Sequence, residues 1–486
     1  AEGGYQAINY YVYLGLRMDT KSLLKISATY VTQLGSFLRG SVERWQAARR
    51  DLAAVVGTWE GKPVGSLPES ELLAGVRAVF GAACHYFTEI QMTLPTAAIS
   101  EATFTQFYNR AVRRKGDPPA TTFVKGLETI ALQAEKSLFD LAGWVRANPA
   151  LATYVAQTPA EQLAADFQGA ATPSDLPAER WAEWRERFAR HLAEFGRTAY
   201  EFDFAMPTPQ DTPAPVLDAL KAYLAGSAGD PYQRQRDAIA AREHATSTMQ
   251  NRLGAPRKAW FTKLLRWAQG TGPMREDSIF DMGMGHPLIR RMLGELGRRF
   301  AAAGAIAQPD EIYWLEQAEV EALIGDLGQG RALPDLSARI PERRAAWQAS
   351  LALVPPLMVP ERSRWSRLFH GGEAETKDGK VVLKGVGTSG GRITAPACVL
   401  FGPDDFGKLR RGDVLVAVTT TPAWTPLFAQ AAAVVTDIGG PLSHSSIVAR
   451  EYGIPAVMAA RTATRAIRNG QLVTVDGTAG TITLGE

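Results

Sequence analysis

Cysteine is scarce in this sequence. Its 486 residues include two, Cys84 and Cys398, which lie far apart and form no CxxC pair. This spacing excludes a disulfide framework and a cysteine-based zinc site, and it is typical of a protein that works in a reducing compartment. We therefore expect a cytoplasmic protein.

Long apolar runs and an excess of one charge are also missing. No apolar run approaches the roughly 18 residues that a membrane-spanning helix needs, and the first twenty residues have no basic stretch followed by an apolar core, as a signal peptide would. The 53 Lys and Arg residues nearly balance the 50 Asp and Glu residues. This balance gives no electrostatic reason to expect nucleic acid or an acidic membrane as a partner.

What is abundant is helical periodicity. Up to about residue 360 the chain is rich in Ala, Leu, Arg and Glu, and SVERWQAARRDLAAVV (residues 41–56) places its large apolar residues near one face. A second periodic run begins at Phe123 and stops before Asn148, where a proline follows. We predict a large, mainly α-helical domain over residues 1–360.

The residue pattern changes at about Lys384. Short β-branched runs such as GDVLVAV, AAAVVTDI and GQLVTVDG alternate with Gly, Pro and Asp, which indicates strands joined by turns. Between them, PAWTPLFAQA and SSIVAREYG are predicted as short helices. Residues 384–486 are therefore predicted to form a small α/β domain, and the polar, glycine-bearing residues 361–383 a flexible linker.

One histidine of this small domain, His444, lies between a predicted strand and a predicted helix. The preceding glycines allow a sharp bend, and Ser443 is a common N-cap residue, so His444 is expected at the helix N-terminus. Backbone N–H groups and the helix dipole favour an anion there, and they also favour a neutral, nucleophilic imidazole. The residues expected to surround a phosphoryl group on His444 are Gly439, Gly440, Ser443, Ser445 and Ser446.

Two other roles of His444 stay open on spacing alone. A lone histidine is more often a packed core or surface residue than a catalyst. A metal ligand has less support, because no second His, Cys or carboxylate stands at ligand spacing on the same helix, and we predict no metal site in this chain. Asp437 is close enough in sequence to orient the ring.

The histidine segment TDIGGPLSHSSIVAREYGIPAVM resembles the phosphohistidine mobile domain of the phosphoenolpyruvate-utilising enzymes. The likeness extends from about Leu383 to Leu484 and includes GDVLVAVTTTPAWTPLF before the motif and GQLVTVDGTAGTITL after it. It implies that His444 carries a phosphoryl group and that its domain swings between two sites. The family commonly has Thr before the histidine and Ala after it; here Ser443 keeps the hydroxyl and Ser445 follows.

Parts of the helical region resemble, more loosely, the acceptor-binding region of rifampin phosphotransferases and of phenylphosphate synthases. They include FVKGLETIALQAEKSLFDLAGWVR and MREDSIFDMGMGHPLIRRMLGELG. In MREDS, Arg275 is a candidate to bind phosphoryl oxygens and Glu276 to accept a proton from an attacking hydroxyl. An exposed charge pair at a helix start, just after a break at Gly272-Pro273, is the alternative.

FGRTAYEFDF offers Arg197 and Glu201 as further candidates for the acceptor site. Relatives often have Gly-His-Arg near this place, so a catalytic histidine of that motif is absent here, and structural ion pairing is the alternative role. The remaining histidines have no recognisable catalytic context and are expected to be structural or solvated: His85, His191, His244, His286 and His370.

The phosphoryl donor is expected to be ATP with Mg²⁺, bound on a partner subunit or on a missing domain. The sequence has no GxxxxGK[ST] loop and no segment similar to an ATP-grasp domain. It stops after the histidine domain, so the barrel that uses phosphoenolpyruvate in the resembled family is not expected. In the ATP-using members the products are AMP and phosphate, which the resemblance implies here.

The sequence thus predicts a component of an ATP-dependent, dikinase-type phosphotransferase. His444 would pass the phosphoryl group to a hydroxyl of a small aromatic or apolar molecule. The aromatic residues of TFTQFYNRAVRRK and NYYVYLGL are candidates to line its pocket, or else to pack in a core. Two alternatives remain: a ligase that uses phosphoryl activation, and a phosphocarrier or regulatory subunit.

Overall fold

A computed structural model describes residues 2–8, 11–17, 38, 40–200, 203–351, 353, 375–377, 380–441 and 443–485. As predicted, a large helical region precedes a small α/β region. The chain divides into two units, residues 1–93 with 288–370 and residues 94–287 with 371–486. This grouping differs from the three predicted spans, 1–360, 361–383 and 384–486, which stay a prediction about domain organisation. Most of the predicted linker lies outside the described residues, but its residues 375–377 and 380–383 are strands paired in a sheet, so the prediction of a flexible linker is wrong for them.

The helical region is preceded by a β-hairpin of strands β1 (Glu2–Ile8) and β2 (Tyr11–Arg17). In chain order the helices are α1 (Ser41–Glu60), α2 (Glu69–Phe107), α3 (Ile130–Arg146), α4 (Pro149–Gln157), α5 (Ala160–Gln168), α6 (Ala178–Phe195), α7 (Ala214–Leu224), α8 (Pro231–Arg252), α9 (Ala255–Met282), α10 (His286–Ala302), α11 (Gln317–Gly328) and α12 (Arg339–Leu351). In the first unit, the apolar face predicted for α1 is buried through Trp45, Leu52 and Val56.

Helix α3 begins later than the sequence predicted, at Ile130 and not at Phe123. Gly126 has a left-handed backbone with φ of 68°, which interrupts a right-handed helix. Thr129 then caps the new helix, because its Oγ1 accepts from the N–H of Leu132 at 3.3 Å. The predicted end before Asn148 is confirmed.

Helix α9 runs through the proline that was predicted to break it. Pro273 removes one backbone hydrogen bond, but side chains on both sides of it are buried, including Phe261, Ala268 and Met274. Packing on both sides therefore holds the helix across the proline. Arg275 consequently lies inside a buried helix, and the alternative of an exposed charge pair at a helix start is wrong.

The aromatic residues of TFTQFYNRAVRRK pack in a core. Phe104 and Tyr108 are fully buried and contact Phe123, with ring centroids 5.7 and 4.8 Å apart. They do not line the cleft described below, so core packing is the correct one of the two roles left open for them. The side chains of NYYVYLGL lie outside the described residues.

The described residues from 375 onwards form one mixed sheet of nine strands. They are β3 (Glu375–Lys377), β4 (Lys380–Lys384), β5 (Val386–Ser389), β6 (Arg392–Leu400), β7 (Val414–Ala417), β8 (Ala433–Thr436), β9 (Ala456–Met458), β10 (Leu472–Asp476) and β11 (Thr481–Leu484). The spatial order is β3-β4-β11-β10-β6-β7-β8-β9-β5, with β6, β7, β8 and β9 parallel. The short helices are α13 (Thr425–Phe428), α14 (His444–Tyr452) and α15 (Ala463–Ala466).

The parallel strands in the middle of this sheet are buried on both faces, since every residue of β7, β8 and β9 is buried. Helix α14 is the crossover between β8 and β9, as predicted from SSIVAREYG. Its first residue is His444, so the histidine lies just beyond the carboxyl end of a parallel strand. Ligands of α/β sheets commonly bind at such an edge.

The sheet packs against the helical part of its own unit. Tyr200, which follows α6, contacts the Phe406 ring at a centroid distance of 5.6 Å. Thr421 Oγ1 hydrogen-bonds to the carbonyl of Ala199 at 3.1 Å. These contacts join the small α/β region to the residues that follow α6.

Candidate functional site

The loop before His444 is a tight turn. Gly439 has φ of 137°, a conformation that L side chains rarely adopt, and a Cβ atom there would lie 3.1 Å from Ser443 Oγ. Helix α14 begins at His444 and ends at Gly453, whose φ is 68°. Both ends of the helix thus agree with the sequence prediction.

The serine hydroxyls of this turn hold the loop together. Ser443 is the N-cap residue, but its side chain does not cap the helix. Its hydroxyl and that of Ser446 both donate to the carbonyl of Gly440, at 2.9 and 2.6 Å. Ser445 shares a hydrogen bond of 2.8 Å with Thr420. In this conformation the hydroxyls therefore stabilise the turn, and their contact with a phosphoryl group stays a prediction.

A carboxylate from the helical region holds the His444 ring. Oε2 of Glu276, on α9, lies 2.6 Å from Nδ1 of His444, and both residues are only 5% exposed. An ionised carboxylate can only accept, so Nδ1 is the donor of this hydrogen bond. In a neutral imidazole with this donor, the lone pair lies on Nε2, the nitrogen that can act as a nucleophile.

The other ring nitrogen, Nε2, has a longer hydrogen-bond contact than Nδ1. Its described neighbour is Thr425 Oγ1 at 3.4 Å. That hydroxyl also donates to the carbonyl of Pro422 at the shorter distance of 2.8 Å. Since the hydroxyl hydrogen is engaged there, the Nε2 lone pair stays available for reaction.

Asp437, the carboxylate that the sequence suggested as a partner of the ring, has other contacts. It accepts hydrogen bonds from the backbone N–H of Thr464, at 3.1 Å, and from the Thr464 hydroxyl. It thereby ties the end of β8 to α15. The residue that orients His444 is Glu276, which lies 168 positions away in the chain.

Arg275 lies beside the same loop and is poorly satisfied. Its Nη2 is 3.5 Å from the carbonyl oxygen of Ser443, and its Nη1 is 4.0 Å from Oε2 of Glu101. Its Nε is buried without a hydrogen-bond partner among the described residues. Burial lowers the pKa of the guanidinium to about 10, so Arg275 is still charged at neutral pH. The N–H groups of Arg275 can therefore bind an anion.

A cleft of about 100 Å³ lies between α14 and the helices of the same unit. Its apolar walls include Val124, Leu127, Leu132, Ile447 and Val448. Thr425 and Glu276, which both contact His444, line it too. The lining also includes four acidic and four basic side chains: Glu101, Glu135, Glu276, Glu451, Lys125, Arg234, Arg275 and Arg450.

An ion pair between two of these lining residues was not predicted from the sequence. Glu135 of α3 pairs with Arg234 of α8, and burial raises the pKa of the Glu135 carboxyl. The Arg234 guanidinium lies 4.1 Å from the centre of the Tyr452 ring, at the end of α14. A signal was present in the sequence, because Glu135 stands between Leu132 and Leu138 on the apolar face of its helix.

Arg197, another predicted site residue, has no described contact with His444. Arg197 follows α6, where its Nε donates to the carbonyl of Ala193 at 3.0 Å, and it does not line the cleft. Glu201 lies outside the described residues. Roles for both in an acceptor site stay a prediction.

The other described histidines are either exposed or buried. His85 and His244 are exposed, while His191 and His286 are buried; His370 lies outside the described residues. Nε2 of His286 lies 3.3 Å from the carbonyl of Met206. Nδ1 of His191 lies 2.9 Å from Ser137 Oγ. The described contacts of these two buried rings fit a structural role.

Burial lowers the pKa of His191 from 6.5 to about 3. Between these values the unfolded chain binds a proton that the folded protein does not. The free energy of unfolding is therefore expected to fall by about 1.4 kcal/mol for each pH unit below 6.5. Urea unfolding at pH 7 and pH 5 measures this, and His191→Gln should reduce the difference between the two values. An unchanged difference in that variant would show that other groups cause the acid sensitivity.

Comparison with known proteins matches the two halves of the site to two known domains. Residues 91–276 match the family described as the rifampicin phosphotransferase fourth domain, and residues 409–480 match the PEP-utilising enzyme mobile domain. The chain combines these two domains. The fourth domain thus supplies Arg275 and Glu276, and the mobile domain supplies His444.

The relatives of this chain include longer proteins. An uncharacterized phosphotransferase, YvkC, of Bacillus subtilis is 33% identical over 46% of this chain. Rifampicin phosphotransferase of Streptomyces sviceus is 27% identical over 71% of it, and the prodigiosin synthesizing transferase PigC of Serratia marcescens 30% over 72%. The matches cover 27%, 39% and 38% of these relatives' own lengths. Among solved structures, a solution structure of Enzyme I is 32% identical over 17% of this chain, with a TM-score of 0.16.

Two absences apply to the described residues alone. No three His, Cys, Asp or Glu side chains come together there as a set of metal ligands. None of the helices in the described part of the chain is both long enough and apolar enough to cross a membrane.

Proposed function

We propose that this chain is the acceptor-binding and phosphoryl-carrying part of an ATP-dependent phosphotransferase. The mobile domain would carry a phosphoryl group on Nε2 of His444 and pass it to a hydroxyl of a small molecule bound beside the fourth domain. The single observation that carries this proposal is the hydrogen bond of 2.6 Å between Nδ1 of His444 and Glu276. It joins the expected phosphoryl carrier to the fourth domain and leaves Nε2 as the nucleophile.

In the charging step, Nε2 attacks the β-phosphorus of ATP and AMP leaves. Water then releases the γ-phosphoryl group as phosphate, so that one phosphoryl group stays on Nε2. We place ATP and Mg²⁺ on an ATP-grasp subunit or domain and the whole reaction in the cytoplasm, as expected from the sequence. Splitting one transfer into two covalent steps allows one carrier to serve two separate sites.

Burial of His444 requires motion between these steps. Because His444 is only 5% exposed and its ring is hydrogen-bonded to Glu276 of α9, a nucleotide cannot reach the ring in this conformation. The mobile domain must therefore leave the fourth domain in order to be charged. Such a domain motion needs a hinge, and we assign it to the part of the predicted linker 361–383 that precedes β3.

In the transfer step, the acceptor oxygen attacks phosphorus while the Nε2–P bond breaks. The electron pair of that bond returns to Nε2, and the hydroxyl proton leaves on the product phosphate. Because Glu276 keeps a proton on Nδ1, the leaving group is a neutral imidazole and not an imidazolate anion. This is a positioning role, and it differs from the proton-acceptor role that the sequence suggested for Glu276, which the contact does not test.

The cleft favours a small acceptor. A cavity of about 150 Å³ can hold benzene, and the space here is about 100 Å³ between apolar walls. A short apolar alcohol suits this size, and a phenol or a larger acceptor requires the two domains to separate.

A ligase is the second candidate function, and one relative favours it. PigC is named a prodigiosin synthesizing transferase, and its match extends over 72% of this chain. In such a reaction the phosphoryl group would activate one substrate for condensation with another. The two functions differ in their products, because a stable phosphate ester accumulates in one and phosphate is released in the other.

The test uses the chain with an ATP-grasp protein, ATP labelled at either the β or the γ position, and a panel of phenols and alcohols. We expect label from the β position alone to enter the chain, and then to leave it as a phosphate ester of one of the hydroxyl compounds. Discharge onto a protein, with none of the hydroxyl compounds active, would contradict the proposal in favour of a phosphocarrier. Release as phosphate with a condensed product would favour the ligase.

A further inference from the structure

A second arginine lies beside the loop that carries His444. Arg450, on α14, donates from Nη1 to the carbonyl of Pro441 at 2.8 Å. Its side chain is largely buried, and its Nη2 lies 3.8 Å from Oε1 of Glu101, on α2. Arg450 therefore turns back along its helix and places its guanidinium next to the turn before His444.

Glu101 separates this guanidinium from that of Arg275. One carboxylate oxygen faces Arg450 at 3.8 Å, and the other faces Arg275 at 4.0 Å. Both distances exceed a hydrogen bond, so the carboxylate attracts the two guanidiniums without satisfying either. Arg275 has a further unmet donor, because its buried Nε has no partner among the described residues.

The two guanidiniums have donors that the nearby carboxylates do not satisfy. Glu276 hydrogen-bonds to His444, and its charge adds to that of Glu101 beside Arg275. The positive charge of Arg450 contributes, after burial, to the lowered pKa of Arg275. A phosphoryl group carries up to two negative charges and three acceptor oxygens, and planar guanidiniums bind such oxygens in pairs.

We propose that Arg450 and Arg275 together bind the phosphoryl group of phospho-His444, and that Glu101 holds the two guanidiniums apart when the phosphoryl group is absent. This inference rests on the proposed function. Arg450 and His444 are on one helix, so Arg450 accompanies the phosphoryl group when the mobile domain moves. Arg275 belongs to the fourth domain and meets the phosphoryl group at the acceptor site.

An arginine that binds the phosphoryl group differs from a purely structural arginine in its effect on the last pKa of that group. Guanidiniums next to a phosphoryl group favour its dianion, so they lower the pH at which that group loses its last proton. A ³¹P NMR titration of phospho-His444 reads this directly. Arg450→Gln is expected to raise the midpoint by about half a unit or more, and Arg450→Lys, which keeps one charge, by less. Arg411→Gln, at an exposed arginine of the same domain, is the matched control.

Labelling by ATP through the ATP-grasp protein gives the second readout. Arg450→Gln should reduce the rate of charging about tenfold, with partial recovery in Arg450→Lys and no change in Arg411→Gln. A midpoint and a charging rate in Arg450→Gln that equal the wild-type values would overturn this inference alone. If the wild-type chain is not labelled on His444, the proposed function itself fails.

Discussion

In the His444→Gln variant, labelling of the chain by [β-³²P]ATP and an ATP-grasp protein is expected to fall by about 10³-fold or more, to background. Such losses are usual when the nucleophile of a covalent mechanism is removed. Glutamine keeps a polar side chain of similar length, and its amide nitrogen has no lone pair that can attack phosphorus. The variant therefore removes the nucleophile with little change in packing.

A matched control is His191→Gln, which changes another buried histidine of the same unit. His191 contacts Ser137 and does not line the cleft, so its variant should be labelled like the wild-type chain. Labelling of His444→Gln at more than a few per cent of the wild-type rate would contradict the assignment. The retained label would then have to be located, and the serines beside His444 are the first residues to examine.

Glu276→Gln is expected to slow the two half-reactions, charging of His444 and transfer to the acceptor, by different factors. Transfer from phospho-His444 to the acceptor should slow by about 10²- to 10⁴-fold, the range found when a carboxylate that orients a catalytic histidine is replaced by an amide. Charging by ATP should slow by less than about tenfold, because the mobile domain is away from α9 when it is charged. Separate measurements of label uptake and of label release give the two rates.

The physical reason is the position of the ring proton. In the wild-type chain Glu276 fixes the proton on Nδ1, whereas a glutamine can either accept from Nδ1 or donate to it. The ¹⁵N NMR signals of the His444 ring should show a protonated Nδ1 and a free Nε2 in the wild-type chain, and a mixture in the variant. Glu451→Gln serves as control, since Glu451 lines the cleft but accepts from the N–H of Gly126.

An equal loss in both half-reactions would contradict this division. It would mean that Glu276 stabilises the mobile domain in every state, or that His444 is charged without leaving α9. Intact transfer in the variant would instead remove Glu276 from the mechanism.

Most of the mobile domain could be predicted from the sequence, but β3 and most of β4 lie in the segment that was predicted as a linker. Its strands are short and β-branched, its turns contain Gly and Pro, and the motif around His444 is local, so that neighbouring residues determine the structure. The start and the end of α14 follow from Ser443 and Gly453 for the same reason. Where the sequence prediction failed in the helical region, the reasons differ. Packing on both sides holds α9 across Pro273, whereas the left-handed Gly126 and the Thr129 cap delay the start of α3 from Phe123 to Ile130.

The partner of His444 could not be derived from the sequence in the same way. Glu276 was singled out as a proton acceptor, but its contact with Nδ1 depends on how α9 packs against α14. Asp437 was nearer in sequence, yet it turns toward Thr464. Glu101 and Arg450 carried no signal of their own, because their pairing arises from the same long-range packing.

The most direct test of the central claim is to locate the phosphoryl group on the charged chain. The account predicts one acid-labile phosphoryl group, on His444, with a ³¹P–¹⁵N correlation to Nε2. Mass spectrometry of the peptide that contains His444 and the three neighbouring serines identifies the residue, and NMR identifies the nitrogen. A phosphoryl group on Nδ1, or an acid-stable ester on Ser443, Ser445 or Ser446, would contradict the account.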